Sequence, residues 1–133
     1  MPGMVAFALA ALLLAAPDVS GTYRIEATKV VKLKKGETGH AKVEVVPRSD
    51  AHVSPDAPIS LAVTSGPSVK LSKEKLGRPD AKETQAKGVE FDIPVTATAS
   101  GRDEVKGSLV FFICTEKLCE RQKREIAMAV EVQ

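Results

Sequence analysis

Leu109-Val110-Phe111-Phe112-Ile113-Cys114-Thr115-Glu116-Lys117-Leu118-Cys119-Glu120-Arg121 is the stretch on which the fold turns. Every residue from Leu109 to Ile113 is apolar, so periodicity alone does not separate strand from helix. The run is short, rich in β-branched and aromatic side chains, and begins after Gly107-Ser108, which favours a buried strand. Beyond the second cysteine, Ile126, Met128, Val130 and Val132 alternate with Ala127, Ala129 and Glu131, the two-residue period of a half-buried strand. The stretch reads as a strand, a turn over Thr115 to Leu118 bracketed by the chain's two cysteines, and a returning strand.

The same period recurs outward from that hairpin. Tyr23, Ile25 and Ala27 alternate with polar residues, as do Ala41, Val43 and Val45, and Val89, Phe91, Ile93 and Val95. Val30 to Leu33, Ile59 to Thr64 and Val69 to Leu71 read as further short strands. Lys34 to Gly39, Ser65-Gly66-Pro67 and Ala99 to Asp103 read as turns, and Pro47 to Pro58 as a connector. Pro94 marks its strand as an edge or a bulge, because proline has no N–H to give to a ladder. Ser72 to Gly88 has Leu76 as its one large apolar residue, and reads as a long exposed loop with a helical turn near Ser72 to Lys75. Many short strands, frequent turns and no amphipathic helix give an all-β chain, an immunoglobulin-like antiparallel β-sandwich.

A length of 133 residues is enough for one domain. Hydrophobic residues make up 44% and aromatics only 4%, so the core must be mostly Val, Ile, Leu and Ala. There is no tryptophan, which excludes the buried tryptophan of antibody domains. A net charge of +2, from 19 basic and 17 acidic residues, gives no electrostatic case for nucleic acid or anionic lipid as partner. The residues from Val5 to Ala16 are all apolar, a run too short for a bilayer, which needs about 20 residues. The run suits the apolar part of a secretory signal peptide, and Val19 and Gly21 suit the small-residue positions before a cut. The expected organisation is a signal peptide over 1–21 and one domain over 22–133, placing the protein in the periplasm or outside the cell. An uncleaved membrane anchor is the alternative.

Export decides how Cys114 and Cys119 are read, because two thiols of one small domain pair in an oxidising compartment. The pair would close a ring of about six residues, for which chain entropy gives only about 2 kcal/mol. A staple serving stability alone would better join distant strands, so the placement leans toward a working redox pair, with a structural staple as the other reading. Lys117, Arg121, Lys123 and Arg124 would favour a thiolate, and Glu116 and Glu120 would oppose it. Cys114 follows a fully apolar strand and should be the more buried, which makes Cys119 the expected attacking thiol. His40 is expected to face solvent. His52 is either a loop histidine bonded to backbone or a neighbour of the cysteines that tunes a thiol. Copper or zinc on these residues would be a third role, but the spacing lacks a metal signature and no metal or small-molecule cofactor is assigned. No catalytic triad, phosphate loop or carboxylate pair stands out.

Several segments together resemble the N-terminal periplasmic domain of the DsbD thiol:disulfide interchange family. They are His52-Val53-Ser54-Pro55 leading to Ile59-Ser60-Leu61, then Val89-Glu90-Phe91-Asp92-Ile93-Pro94-Val95, then Gly107 to Cys114 with Cys119. The resemblance covers roughly residues 40 to 132. It implies an immunoglobulin-like sandwich whose cysteine pair, here Cys114 and Cys119, passes electrons between a membrane partner and thioredoxin-like proteins. It also implies a cap loop over the pair, and Ser72 to Gly88 lies roughly where that loop would be. The segment carries no aromatic to tip a cap, and His52 is the nearest substitute for the family's tyrosine-rich strand. The function expected is exported thiol–disulfide exchange. The alternative is a non-enzymatic binding or scaffold domain with a structural disulfide.

Overall fold

The computed structural model describes residues 19–133, so the signal-peptide and anchor readings of the first eighteen residues lie outside the described residues. A 3-10 turn, Val19–Thr22, leads into β1, Tyr23–Ala27. The order continues with β2, Val30–Leu33, β3, Thr38–Pro47, β4, His52–Val53, β5, Ser60–Ser65, and β6, Val69–Leu71. Then come β7, Lys75–Leu76, a 3-10 turn over Arg78–Asp80, β8, Ala81–Glu83, β9, Val89–Ala97, β10, Gly101–Cys114, and β11, Cys119–Val132. Among the described residues no helix is long and apolar enough to cross a membrane.

The strands form two sheets of a β-sandwich. One runs β1-β3-β9-β6, with β8 also on β9; the other runs β2-β11-β10-β5-β7, with β4 on the end of β10. All pairings are antiparallel except β2 with β11. The alternating residues place one row of each sheet inward, and a single core cluster takes in both rows. Val43, Val45, Phe91 and Val95 come from the first sheet, and Leu61, Leu109, Phe111, Ile113 and Val130 from the second; all are fully buried. The immunoglobulin-like fold expected from the period is the fold observed.

The β10–β11 hairpin is its longest element pair. Its register runs without a bulge from Gly101 opposite Val132 to Cys114 opposite Cys119. Asp103 to Ser108 belong to the strand itself, although the sequence placed them before it. The turn at the other end uses Gly101 at φ 130°, a conformation that a side chain would strain.

Two expectations are corrected. Ser72 to Gly88 is not one long loop and has no helical turn at Ser72 to Lys75. Leu76 is buried opposite Leu61 and draws Lys75–Leu76 onto β5, while Ala81–Glu83 pairs with β9. Between them Asp80 accepts hydrogen bonds from the Gly77 N–H (2.9 Å) and the Lys73 ammonium (2.7 Å). Pro94 lies in an interior strand, because β9 pairs with β3 along Val89 to Thr96. The Ala97 N–H donates to Glu37 on the β3 side and the Thr98 N–H to Ser68 on the other, so even-numbered residues of β9 face away from β3. On that side β8 stops at Phe91 and β6 starts at Val95. The missing N–H of Pro94 therefore falls in a gap where no ladder bond is lost.

Candidate functional site

The end of the central hairpin carries the cysteines. Cys114 and Cys119 are disulfide-bonded across the last paired position, with Cα atoms 4.0 Å apart. Beyond them the Thr115 N–H donates to the Leu118 carbonyl (2.8 Å), which leaves Glu116 and Lys117 exposed at the tip. The two half-cystines sit in different surroundings. Cys114 is 3% exposed, at the end of an apolar strand, whereas Cys119 is exposed at the start of a strand of charged residues. The expected order of burial is the order observed.

His52 lies directly opposite Cys114, because β4 pairs His52 with Cys114 and Val53 with Ile113. The Ser54 N–H donates to the Phe112 carbonyl (2.9 Å) and extends that pairing. Directly opposed residues of an antiparallel pair share a face, with Cβ atoms about 4.5–5.5 Å apart. His52, Cys114 and Cys119 thus form one row across three strands, with the buried half-cystine in the middle. His40 is elsewhere, exposed on β3 with its ring 2.7 Å from the Asp92 carboxylate.

The polar segment reaches this row through its last residues. The Val53 N–H donates to the Lys87 carbonyl (2.9 Å), tying the Thr84–Gly88 turn to β4. Within the turn, the Gly88 N–H donates to the Thr84 hydroxyl (3.1 Å), and Lys87 holds a positive φ of 63°. A cleft of about 210 Å³ lies between Asp50, His52, Lys87 and the hairpin turn at Thr115 and Glu116. A second, of about 350 Å³, is also lined by His52 and Lys87, together with Arg78, Glu83 and Pro55. Arg78 is anchored there by hydrogen bonds to the carbonyls of Ser54 (3.0 Å) and Ala57. Among the described residues no group of three or more His, Cys, Asp and Glu side chains could hold a metal ion.

Of the four cations near the cysteines in sequence, Lys117 is at the tip and the three on β11 divide between the faces of the sheet. Arg124 stacks over the Tyr23 ring, 5.4 Å from its centroid, next to the edge-to-face contact of Tyr23 with Phe111. Gln122 accepts from the Tyr23 hydroxyl (2.8 Å) on that same inner side. Arg121 and Lys123 are exposed on the opposite face, which they share with Cys119 by the two-residue period. Sequence reasoning left His52 as either a loop histidine or a neighbour of the cysteines, and missed Lys87, whose only signal was its place before Gly88. A Cβ at Gly88 would lie 1.9 Å from the Val45 carbonyl oxygen, so that residue must be glycine for the turn to sit on β3.

No family model matches the chain, and no curated protein matches it. Among solved structures it is similar to AggA, the major subunit of aggregative adherence fimbriae type I from Escherichia coli. The TM-score is 0.48 at 10% identity, covering 84% of this chain and 94% of that one. It is also similar to alpha-2-macroglobulin from Escherichia coli, with a TM-score of 0.46 at 15% identity, over 84% of this chain and 7% of that one. Murine CRIg is similar with a TM-score of 0.41 at 10% identity, over 84% of this chain and 98% of that one.

Proposed function

We propose that this chain is an exported thiol–disulfide exchange domain, of the kind the DsbD resemblance implies, working through Cys114 and Cys119. The observation that supports it most is the asymmetry of the disulfide, one half buried and the other exposed at the tip of a hairpin. A continuous backbone ladder already holds the two strands together down to that tip. The ring closed is so short that the bond adds about 2 kcal/mol at most by chain entropy. Such a bond contributes little as a staple and is well placed for attack.

In the proposed reaction a thiolate of a partner dithiol attacks Sγ of Cys119. The Cys114–Cys119 bond breaks, a mixed disulfide forms, and Cys114 leaves as a thiolate. The partner's second thiolate then attacks its own sulfur in the mixed disulfide and releases Cys119. The partner dithiol is oxidised to a disulfide and this domain is reduced. Delivery to a second partner runs the same steps in reverse, with Cys119 attacking. Thioredoxin-like proteins and membrane thiol–disulfide exchange proteins are the partner classes this chemistry suits.

The second reading, a scaffold domain with a structural disulfide, is favoured by the burial of Cys114 alone. Two variants separate them. Cys114→Ser leaves an exposed nucleophile with no resolving thiol, and should accumulate mixed disulfides with an oxidised thioredoxin-like protein. Cys119→Ser leaves the buried thiol and should accumulate far less. Capture by neither variant would leave the exchange reading without support.

A further inference from the structure

We propose that His52 is the proton donor and acceptor for Cys114 during exchange, an inference that rests on the exchange reading above. When Cys119 is attacked, the departing electron pair stays on Sγ of Cys114. That sulfur belongs to a residue only 3% exposed, in a setting that penalises an isolated charge. The thiolate needs a proton or a cation at that moment. On one side of Cys114 in the sheet stands Cys119, the group just attacked; on the other stands His52. An imidazolium there gives its proton to the Cys114 sulfur, leaving a thiol and a neutral imidazole that solvent in the flanking clefts reprotonates. In the reverse direction the neutral imidazole takes the proton back, and Cys114 becomes the thiolate that resolves the mixed disulfide. Histidine suits both directions because its charge changes near neutral pH.

Other charged groups face His52 across the two clefts. Asp50 comes from the preceding loop, Arg78, Glu83 and Lys87 from the 78–88 segment, and Glu116 from the hairpin turn. The carboxylates favour the imidazolium and the cations oppose it. None of the five is on a strand paired directly with the Cys114 position, which is the place His52 holds.

The test is the rate of reduction of the native disulfide by dithiothreitol, followed over pH and expressed per attacking thiolate. In the natural chain this rate should fall as pH rises through the histidine range, about pH 5 to 8. His52→Gln should slow reduction at the acid end on the order of 10²-fold, the low end for a positioned proton donor, and flatten the profile. His40→Gln, on β3 beside Asp92, should keep the natural profile. A disulfide that dithiothreitol does not reduce in the folded protein would overturn the exchange reading itself. Ready reduction with an unchanged profile in His52→Gln would overturn only the role of His52. If that variant does not fold, the imidazole of the natural chain can be titrated by NMR in both redox states. Its titration should change on reduction, because only the reduced chain places an ionisable thiol opposite the imidazole. Identical titrations in the two states would refute the proposal.

Discussion

Lys87 and Gly88, adjacent in the chain, make opposite demands on the backbone beside the candidate site. Lys87 holds φ 63° without being glycine, a conformation that costs an L-residue about 1–2 kcal/mol. Lys87→Gly should therefore stabilise the fold by up to about 1 kcal/mol once the added freedom of the unfolded chain is subtracted, read as a raised urea midpoint. Gly88→Ala should do the reverse. Its Cβ would press on the Val45 carbonyl oxygen and Pro47, and a loss of about 1–3 kcal/mol is the ordinary result of overpacking. A third residue-scale prediction concerns Asp80. The Lys73 ammonium and then the Gly77 N–H hold its carboxyl below the ordinary value of 3.8. A carboxylate depressed on folding stabilises above its unfolded pKa, and that contribution is lost as pH falls through the folded value. Lys73→Ala should move the NMR titration of Asp80 upward, and an unmoved titration would deny the pairing. Little of this was legible in the sequence. Lys87 sits in a polar segment with no period to place it, and nothing in Thr84 to Gly88 shows that its turn is bonded to Val53. His52 was easier, since histidine is rare here, but its position opposite Cys114 depends on a two-residue strand too short to announce itself.

At the scale of elements, the strands that carry large alternating side chains were readable, and those that depend on distant partners were not. Val89 to Val95 and Ile126 to Val132 bury the residues their period marks. Lys75–Leu76 and Ala81–Glu83 are strands because β5 and β9 offer them edges, and their own sequences contain little that would form a strand alone. The N-terminal boundary is a similar case. A cut after Gly21 is what the small residues suggest, yet Val19 is buried in the core and the Gly21 carbonyl accepts from Arg48 (2.8 Å). A chain beginning at Thr22 should therefore be less stable than one beginning at Val19 by about 1.5–3 kcal/mol, the worth of one buried valine. Denaturation of the two truncations side by side checks this, and equal midpoints would show that the turn contributes nothing.

For the whole molecule, period and turn spacing were enough for the class of fold, since the apolar face of a sheet must be covered by helices or by another sheet and the sequence offers no amphipathic helix. The topology lay beyond them. β1 joins one sheet and β2 the other, and β2 runs parallel to β11, a pairing of Val30 with Ala129 that no local pattern encodes. The placement of the disulfide belongs to this scale too. The core is apolar and continuous between the sheets, the hairpin is held by its own ladder, and the cysteines sit at its far end, where the fold needs them least. The reduction potential of the Cys114–Cys119 pair, measured in glutathione buffers of graded composition, tests that placement most directly. Exchange requires a potential above about −300 mV, within reach of cellular thiol couples. A value below that limit would make the bond a structural one and contradict the proposed function.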